Sequence, residues 1–202
     1  MSPAALITAK RRKELAALDG LVSEATGLRL AELAALVPAN QVIVEIGSYK
    51  GKSGCYLAEG ARRGLGAMVF CIDPWDLEGN VSGRFGFAAL ATFEAFAAQV
   101  ASVKLDSQVT AIPEFSPRAA SGWRLPIGLL YIDGSHLYED VRADYRAWAL
   151  RVAVGGAMAF DDYDTPRNPG VKRVVDYIRN HNATWQGWDF ATPPLAIAWR
   201  GR

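Results

Sequence analysis

Five short runs, Val42–Ile46, Met68–Ile72, Val109–Ile112, Ile127–Ile132 and Ala157–Phe160, are apolar almost from end to end. Longer stretches with helical periodicity separate them, near 53–63, 86–103, 116–122 and 138–151, and another comes after them at 171–180. A strand that is apolar on both faces must be covered on both faces, and alternation with helices makes the sheet parallel. The tail breaks this rhythm. Trp185–Phe190 and Leu195–Trp199 are strand-like runs joined by a turn containing Pro193 and Pro194, which reads as a closing hairpin. Five βα units and a hairpin predict an α/β fold: a seven-stranded, mostly parallel sheet with one antiparallel strand and helices on both faces. Upstream, residues 5–19 and 28–37 read as helices, the second carrying Leu30, Leu33, Ala34 and Val37 on one face. This N-terminal helical extension packs outside the sheet or helps cover the site. With 202 residues the chain has room for one substantial core. It reads as a single domain over 1–202, with N-terminal helices at 1–37 and the sheet-bearing core at 40–202.

Charge excludes several partners. The 22 basic and 21 acidic residues leave a net charge of +1, which gives no electrostatic footprint for nucleic acid. Lys10-Arg11-Arg12-Lys13 is a short basic run that reads as a solvated helix end. It interrupts the N-terminus before any apolar signal-peptide core forms, and no stretch reaches the roughly 18 apolar residues of a membrane span. Cys55 and Cys71 stand in apolar surroundings without metal-ligand spacing, as buried reduced thiols do. The expectation is a cytoplasmic protein with a small-molecule partner, neither nucleic acid nor membrane.

In sheets of this kind ligands bind beyond the carboxyl ends of the strands, where the strand order reverses. The first βα junction reads Val44-Glu45-Ile46-Gly47-Ser48-Tyr49-Lys50-Gly51-Lys52-Ser53. Gly47 allows backbone to pass close to a ligand, and Gly51 eases the turn into the helix. The spacing is neither GxGxxG nor GxxxxGK[ST], so a nucleoside without phosphates fits better than a dinucleotide or triphosphate. The second strand ends in Asp73, within Cys71-Ile72-Asp73-Pro74-Trp75-Asp76. An acid there is placed to accept hydrogen bonds from both hydroxyls of a ribose; the other reading is a cap or turn ahead of Pro74. Trp75 is either an adenine cover or a packing aromatic.

These residues carry a resemblance. Glu45-Ile46-Gly47-Ser48-Tyr49-Lys50-Gly51-Lys52-Ser53 resembles the first motif, Glu-x-Gly-x-Tyr-x-Gly-x-Ser, of the catechol O-methyltransferase-like branch of Rossmann-like class I methyltransferases. Tyr131-Ile132-Asp133-Gly134-Ser135-His136-Leu137-Tyr138-Glu139 and Gly155-Gly156-Ala157-Met158-Ala159-Phe160-Asp161-Asp162-Tyr163 resemble later segments of small-molecule O-methyltransferases such as macrocin O-methyltransferase and the cephalosporin-biosynthesis methyltransferase. Pro169-Gly170-Val171-Lys172-Arg173-Val174-Val175 is a further match. The ordered set spans roughly residues 42–178. It implies S-adenosylmethionine as cofactor, with Gly47, Ser48, Tyr49 and Ser53 at its methionine end and Asp73 at the ribose. It also puts Pro113-Glu114-Phe115-Ser116 beside adenine and Asp133 beneath the sulfonium. Carboxylates such as Glu45 and Asp133 favour a cationic sulfonium and ammonium. The resemblance also implies a dimer as a common assembly.

Asp133 ends the fourth strand and Asp161-Asp162 the fifth, which brings three carboxylates to neighbouring tips. Like charges this close need a cation or a proton, and oxygen ligands suit a hard ion such as Mg²⁺. The expected metal ligands are therefore Asp133, Asp161 and Asp162, Asp161 being the position that varies among relatives. His136 is the expected general base, or else a helix-start residue bonded to Asp133 or to the cofactor carboxylate. His181, Arg118 and Arg142 read as surface residues. The resemblance implies that acceptor recognition falls to 1–37, Leu77–Phe87 and Asp164–Gly170; Gly79, Gly83 and Gly86 make the middle segment either a lid or a plain surface loop.

Overall fold

The computed structural model describes residues 6–75 and 89–202. Its strands are β1 (Val42–Ile46), β2 (Met68–Asp73), β3 (Val109–Pro113), β4 (Ile127–Ile132), β5 (Val152–Phe160), β6 (Trp185–Asp189) and β7 (Ala196–Arg200). They form one sheet in the order β3-β2-β1-β4-β5-β7-β6. The first five run parallel. β7 is antiparallel to both β5 and β6, so it is the single reversed strand. The chain builds outward from β1 through β2 to β3, then returns to place β4 on β1's other side. The reversal point lies between β1 and β4, where the loops diverge and leave a crevice.

Alternation along the buried strands, broken in β4 by an irregularity between Ile127 and Leu129, divides the core into two layers. In β4, Leu129 and Tyr131 face one layer, while Ile127, Leu130 and Ile132 face the other. The first layer packs under α1 (Ala9–Ala16), α2 (Glu24–Ala35), α3 (Lys52–Arg63) and α4 (Ala89–Ser102), through Leu15, Leu30, Leu57 and Phe96. The second packs under α5 (Ser116–Ser121), α6 (Tyr138–Trp148) and α7 (Pro169–His181), through Ala120, Trp148, Val174 and Ile178. Among the described residues no helix is long and apolar enough to cross a membrane. Both cysteines are buried free thiols.

The N-terminal helices share the first core layer. α2 begins at Glu24, earlier than periodicity suggests, because the Ser23 hydroxyl accepts the Thr26 N–H and caps the helix. It lies so close to α3 that a Cβ on Gly60 would stand 2.1 Å from the Ala31 carbonyl oxygen. The basic run is a solvated helix end only at Lys10 and Lys13, which are exposed; its arginines are engaged. Arg11 reaches the fully buried Glu59 carboxylate at 3.0 Å, and Arg12 reaches Glu24 at 2.9 Å. A buried carboxylate needs such cations, and Arg62 and Arg63 complete its shell. The segment Leu77–Phe87, with Gly79, Gly83 and Gly86, lies outside the described residues.

Candidate active site at the carboxyl end of the sheet

Register sets the site. Cys71, Glu45 and Tyr131 are paired across β2, β1 and β4, and Tyr131 continues to Ala159 on β5. All four point into the same layer, so a carboxylate, a thiol and a phenol lie in one row beneath the strand tips. Two residues further along stand Gly47, Asp73, Asp133 and Asp161. Each tip is tied to the strand beside it. Gly47 donates its N–H to the Ile72 carbonyl (2.9 Å), Asp133 to Ile46 (2.8 Å) and Asp161 to Ile132 (3.1 Å).

The loop after β1 turns on Gly47, whose φ is +84°. A Cβ there would meet the Asp133 carbonyl oxygen at 2.3 Å, so both the torsion and the close approach require glycine. Asp73 organises the rest of the loop. Its Oδ2 accepts the N–H groups of Ser48 (3.0 Å) and Tyr49 (2.9 Å), and its Oδ1 accepts that of Trp75 (2.9 Å). Burial pushes the Asp73 carboxyl above its ordinary range, and these three donors pull it back. Lys50 reaches Asp19 at 2.5 Å and Gln99 holds the Lys50 carbonyl at 2.6 Å, which anchors the loop from outside. Glu45 lies beneath with no exposed surface, and the Ser48 hydroxyl donates to its Oε2 at 2.7 Å. Desolvation raises its pKa; neighbouring Ser53, Ser48 and Cys71 moderate the rise.

The β4–β5 side is acidic. Tyr131 donates its hydroxyl to Asp133 Oδ2 at 3.1 Å. Burial lifts Asp133 and Asp161 well above the usual carboxylate range, and charge repulsion between neighbouring acids adds to it. Asp161 Oδ1 is buried without a hydrogen-bond partner. His136 Nε2 stands 3.0 Å from Asp162 Oδ2 and 3.8 Å from Asp133 Oδ1. The Asp133 carboxylate foremost, with Asp162, raises the imidazole's pKa. Only the 3.0 Å contact is short enough for a hydrogen bond, and its angle does not make one.

Residues 44–163, more than half of the chain, match a family described as a methyltransferase domain. The chain belongs to the methyltransferase-domain family. Its fold is similar to that of the O-methyltransferase NovP, with a TM-score of 0.69 at 18% identity over 90% of this chain and 81% of NovP. TomG from Streptomyces achromogenes, an O-methyltransferase of tomaymycin synthesis solved with S-adenosylmethionine, gives 0.63 at 18% over 99% and 89%. CalS11, a TDP-rhamnose 3′-O-methyltransferase of calicheamicin biosynthesis, gives 0.62 at 19% over the full length of both chains. At these identities the likeness is one of fold. The chain is an S-adenosylmethionine-dependent methyltransferase through its family.

In this methyltransferase the residues expected from sequence fall into three groups. Gly47, Ser48, Tyr49, Asp73, Asp133, Asp161, Asp162 and His136 converge on the crevice between β1 and β4. Glu45 and Ser53 lie just below it, both buried. Trp75 is a correction. Its indole is 2% exposed, donates Nε1–H to the Tyr49 carbonyl at 2.7 Å, and packs on Phe93 and Phe96 at centroid distances of 5.1 and 4.8 Å. It supports the loop from below and offers no open face to a base. Ser116 stands at the start of α5, where its hydroxyl accepts Trp148 Nε1–H at 2.8 Å. Asp144, which the sequence did not single out, lies beside it. This carboxylate is 6% exposed and desolvation pushes it up to about 6. Its position inside an ordinary helical pattern carried no signal, because burial of an acid on α6 depends on what packs above it.

The expected three-carboxylate metal set does not form in this arrangement. Asp162 turns away at φ +55°, and its carboxylate accepts from Thr165 Oγ1 at 3.2 Å and from the Asn168 amide. The His136 imidazole faces it, with Nε2 at 3.0 Å from Asp162 Oδ2. Among the described residues no three His, Cys, Asp or Glu side chains converge as a ligand set. His181 sits away from the crevice, bonded to the Tyr177 carbonyl at 3.0 Å.

Proposed function

We propose that this methyltransferase transfers the methyl group of S-adenosylmethionine to a hydroxyl oxygen of a small molecule, with His136 taking the hydroxyl proton. The observation that carries the reading is the His136 imidazole, set against Asp162 and Asp133 at the crevice and lining an open groove beside it.

The residues present suit a cationic methyl donor. Glu45, Asp133 and Asp161 lie in or under the crevice, and buried Asp161 Oδ1 lacks any donor. Positive charge placed there relieves a deficit the protein leaves open. Each oxygen of Asp73 retains acceptor capacity beyond its backbone bonds, which suits ribose hydroxyls. When bound, the donor supplies a methyl carbon already activated by positive sulfur; the C–S bond breaks, sulfur keeps the electron pair, and a C–O bond forms.

The chain's own work is alignment and proton removal. Carboxylates beside His136 make the imidazole more basic and stabilise the imidazolium it becomes. Asp133, held by Tyr131, positions the ring.

Calorimetry with S-adenosylhomocysteine tests the cofactor half, because an Asp73→Ala variant should bind far more weakly than wild type. Turnover after EDTA and metal-free dialysis tests the chemistry. Activity that survives supports His136 as base. Activity lost and restored by Mg²⁺ would show that Asp133 and Asp161 rearrange around an ion, and would overturn the metal-free route.

A further inference from the structure

Next to His136 lies a groove of about 500 Å³ between the β4–α6 and β5–α7 loops. Its walls include Ser135, His136, Tyr138, Asn168, Arg167 and Arg173. The volume falls within the range of small-molecule sites, roughly 300–1,000 Å³. The two loops are locked together, because a Cβ on Gly170 would meet the His136 carbonyl oxygen at 2.4 Å.

The charges around this groove are unevenly satisfied. The acids on the flanking loops and helices have partners, while Asp161 Oδ1 at the neighbouring strand tip has none. Glu139 pairs with Arg142 at 2.7 Å, Asp164 with Lys172 at 3.5 Å, and Asp140 accepts the Ser135 hydroxyl at 2.7 Å. Asp162 is held by Thr165 and Asn168. Of the two arginines, Arg173 lies over the Tyr138 ring at 3.9 Å, and among the described residues its N–H groups make no hydrogen bond or ion pair. Arg167 makes no hydrogen bond, ion pair or ring contact among the described residues. Arg118 and Arg142, by contrast, spend their charge on Glu114 and Glu139.

Resting on O-methyl transfer with His136 as base, we infer that the groove is the acceptor site and that Arg167 and Arg173 bind an oxyanion, a carboxylate or phosphate ester, on the molecule whose hydroxyl meets His136. A guanidinium fork matches either group through paired charge-assisted hydrogen bonds. Tyr138 and Leu137 supply the apolar wall for the carbon skeleton between anion and hydroxyl.

The test titrates the protein loaded with S-adenosylhomocysteine against benzoate, phenyl phosphate and neutral benzyl alcohol by calorimetry. Benzoate or phenyl phosphate should bind at least about tenfold more tightly than benzyl alcohol, and the tighter of the two identifies the anion. Arg167→Gln with Arg173→Gln should remove that preference while keeping the melting temperature and the affinity for S-adenosylhomocysteine. Should Arg173→Gln disturb packing on Tyr138, Arg167→Gln alone should still weaken anion binding several-fold. Equal binding of the neutral alcohol, no anion binding at all, or anion binding untouched by either variant overturns the inference. Wild type that fails to bind S-adenosylhomocysteine overturns instead the methyl-transfer reading on which it rests.

Discussion

On the β1–β2 side of the crevice, Asp73 accepts three backbone N–H groups, Ser48 satisfies Glu45 Oε2, and Lys50 and Gln99 pin the loop from outside. On the β4–β5 side, carboxylates crowd one another, Asp161 Oδ1 has no donor, and the nearest cation is a titratable imidazole. On the first side the loop is bonded without a ligand and acts as a preformed shape, with the buried Glu45 Oε1 beneath it left without a partner. The second carries excess negative charge that folding has not neutralised, which is the condition of a site awaiting positive charge and a proton.

If that contrast is right, variants on the two sides separate in what they damage. His136→Ala should lower kcat by about 10²–10⁴-fold, the usual worth of a general base, with affinity for S-adenosylhomocysteine kept. Parallel loss of both would show the sides to be one unit. Gly47→Ala should cost about 3 kcal/mol, because its Cβ would meet backbone at a positive φ. In a chain this long that lowers Tm by roughly 6–12 °C; an unchanged melting curve would show the loop to be adaptable. Asp73→Asn halves the acceptor capacity holding Ser48, Tyr49 and Trp75, and should cost about 1–2 kcal/mol together with cofactor affinity.

Asp144→Asn gives the smallest and most pH-dependent change. The carboxyl's pKa is raised from 3.8 to about 6 in the folded protein, so the native state holds its proton more tightly than the unfolded chain. Its contribution to stability is present below pH 4 and is lost as pH rises through about 6. At pH 7.5 the variant should be about 1–2 kcal/mol more stable than wild type, and the difference should vanish near pH 4. Denaturant melts at both pH values measure it, and a constant difference would mean that the Asp144 pKa is the same in the folded and unfolded chain.

Much of the frame was legible because buried parallel strands are apolar without interruption. β1 and β4 match the apolar runs residue for residue. β5 begins at Val152, five residues before its run, because a bulge around Gly155, at φ +82°, lets Val152 pair with Ile127 and Ala157 with Leu129. Those glycines look like a turn in sequence, and only the partner strand shows that pairing continues past them. Asp73 and Gly47 were legible as the ends of runs at a junction.

The chain's linear pattern by itself determined the layered sheet and which acids stand at the strand tips. Period-two burial and strand ends are local properties, and local properties are written in consecutive residues. Only the folded molecule decided that Trp75 supports the loop, that Arg11 serves a buried Glu59, that Asp162 turns toward Asn168, and that His136 faces it. Side-chain partnership depends on distances between residues far apart in the chain, and those distances exist only once the two core layers have closed.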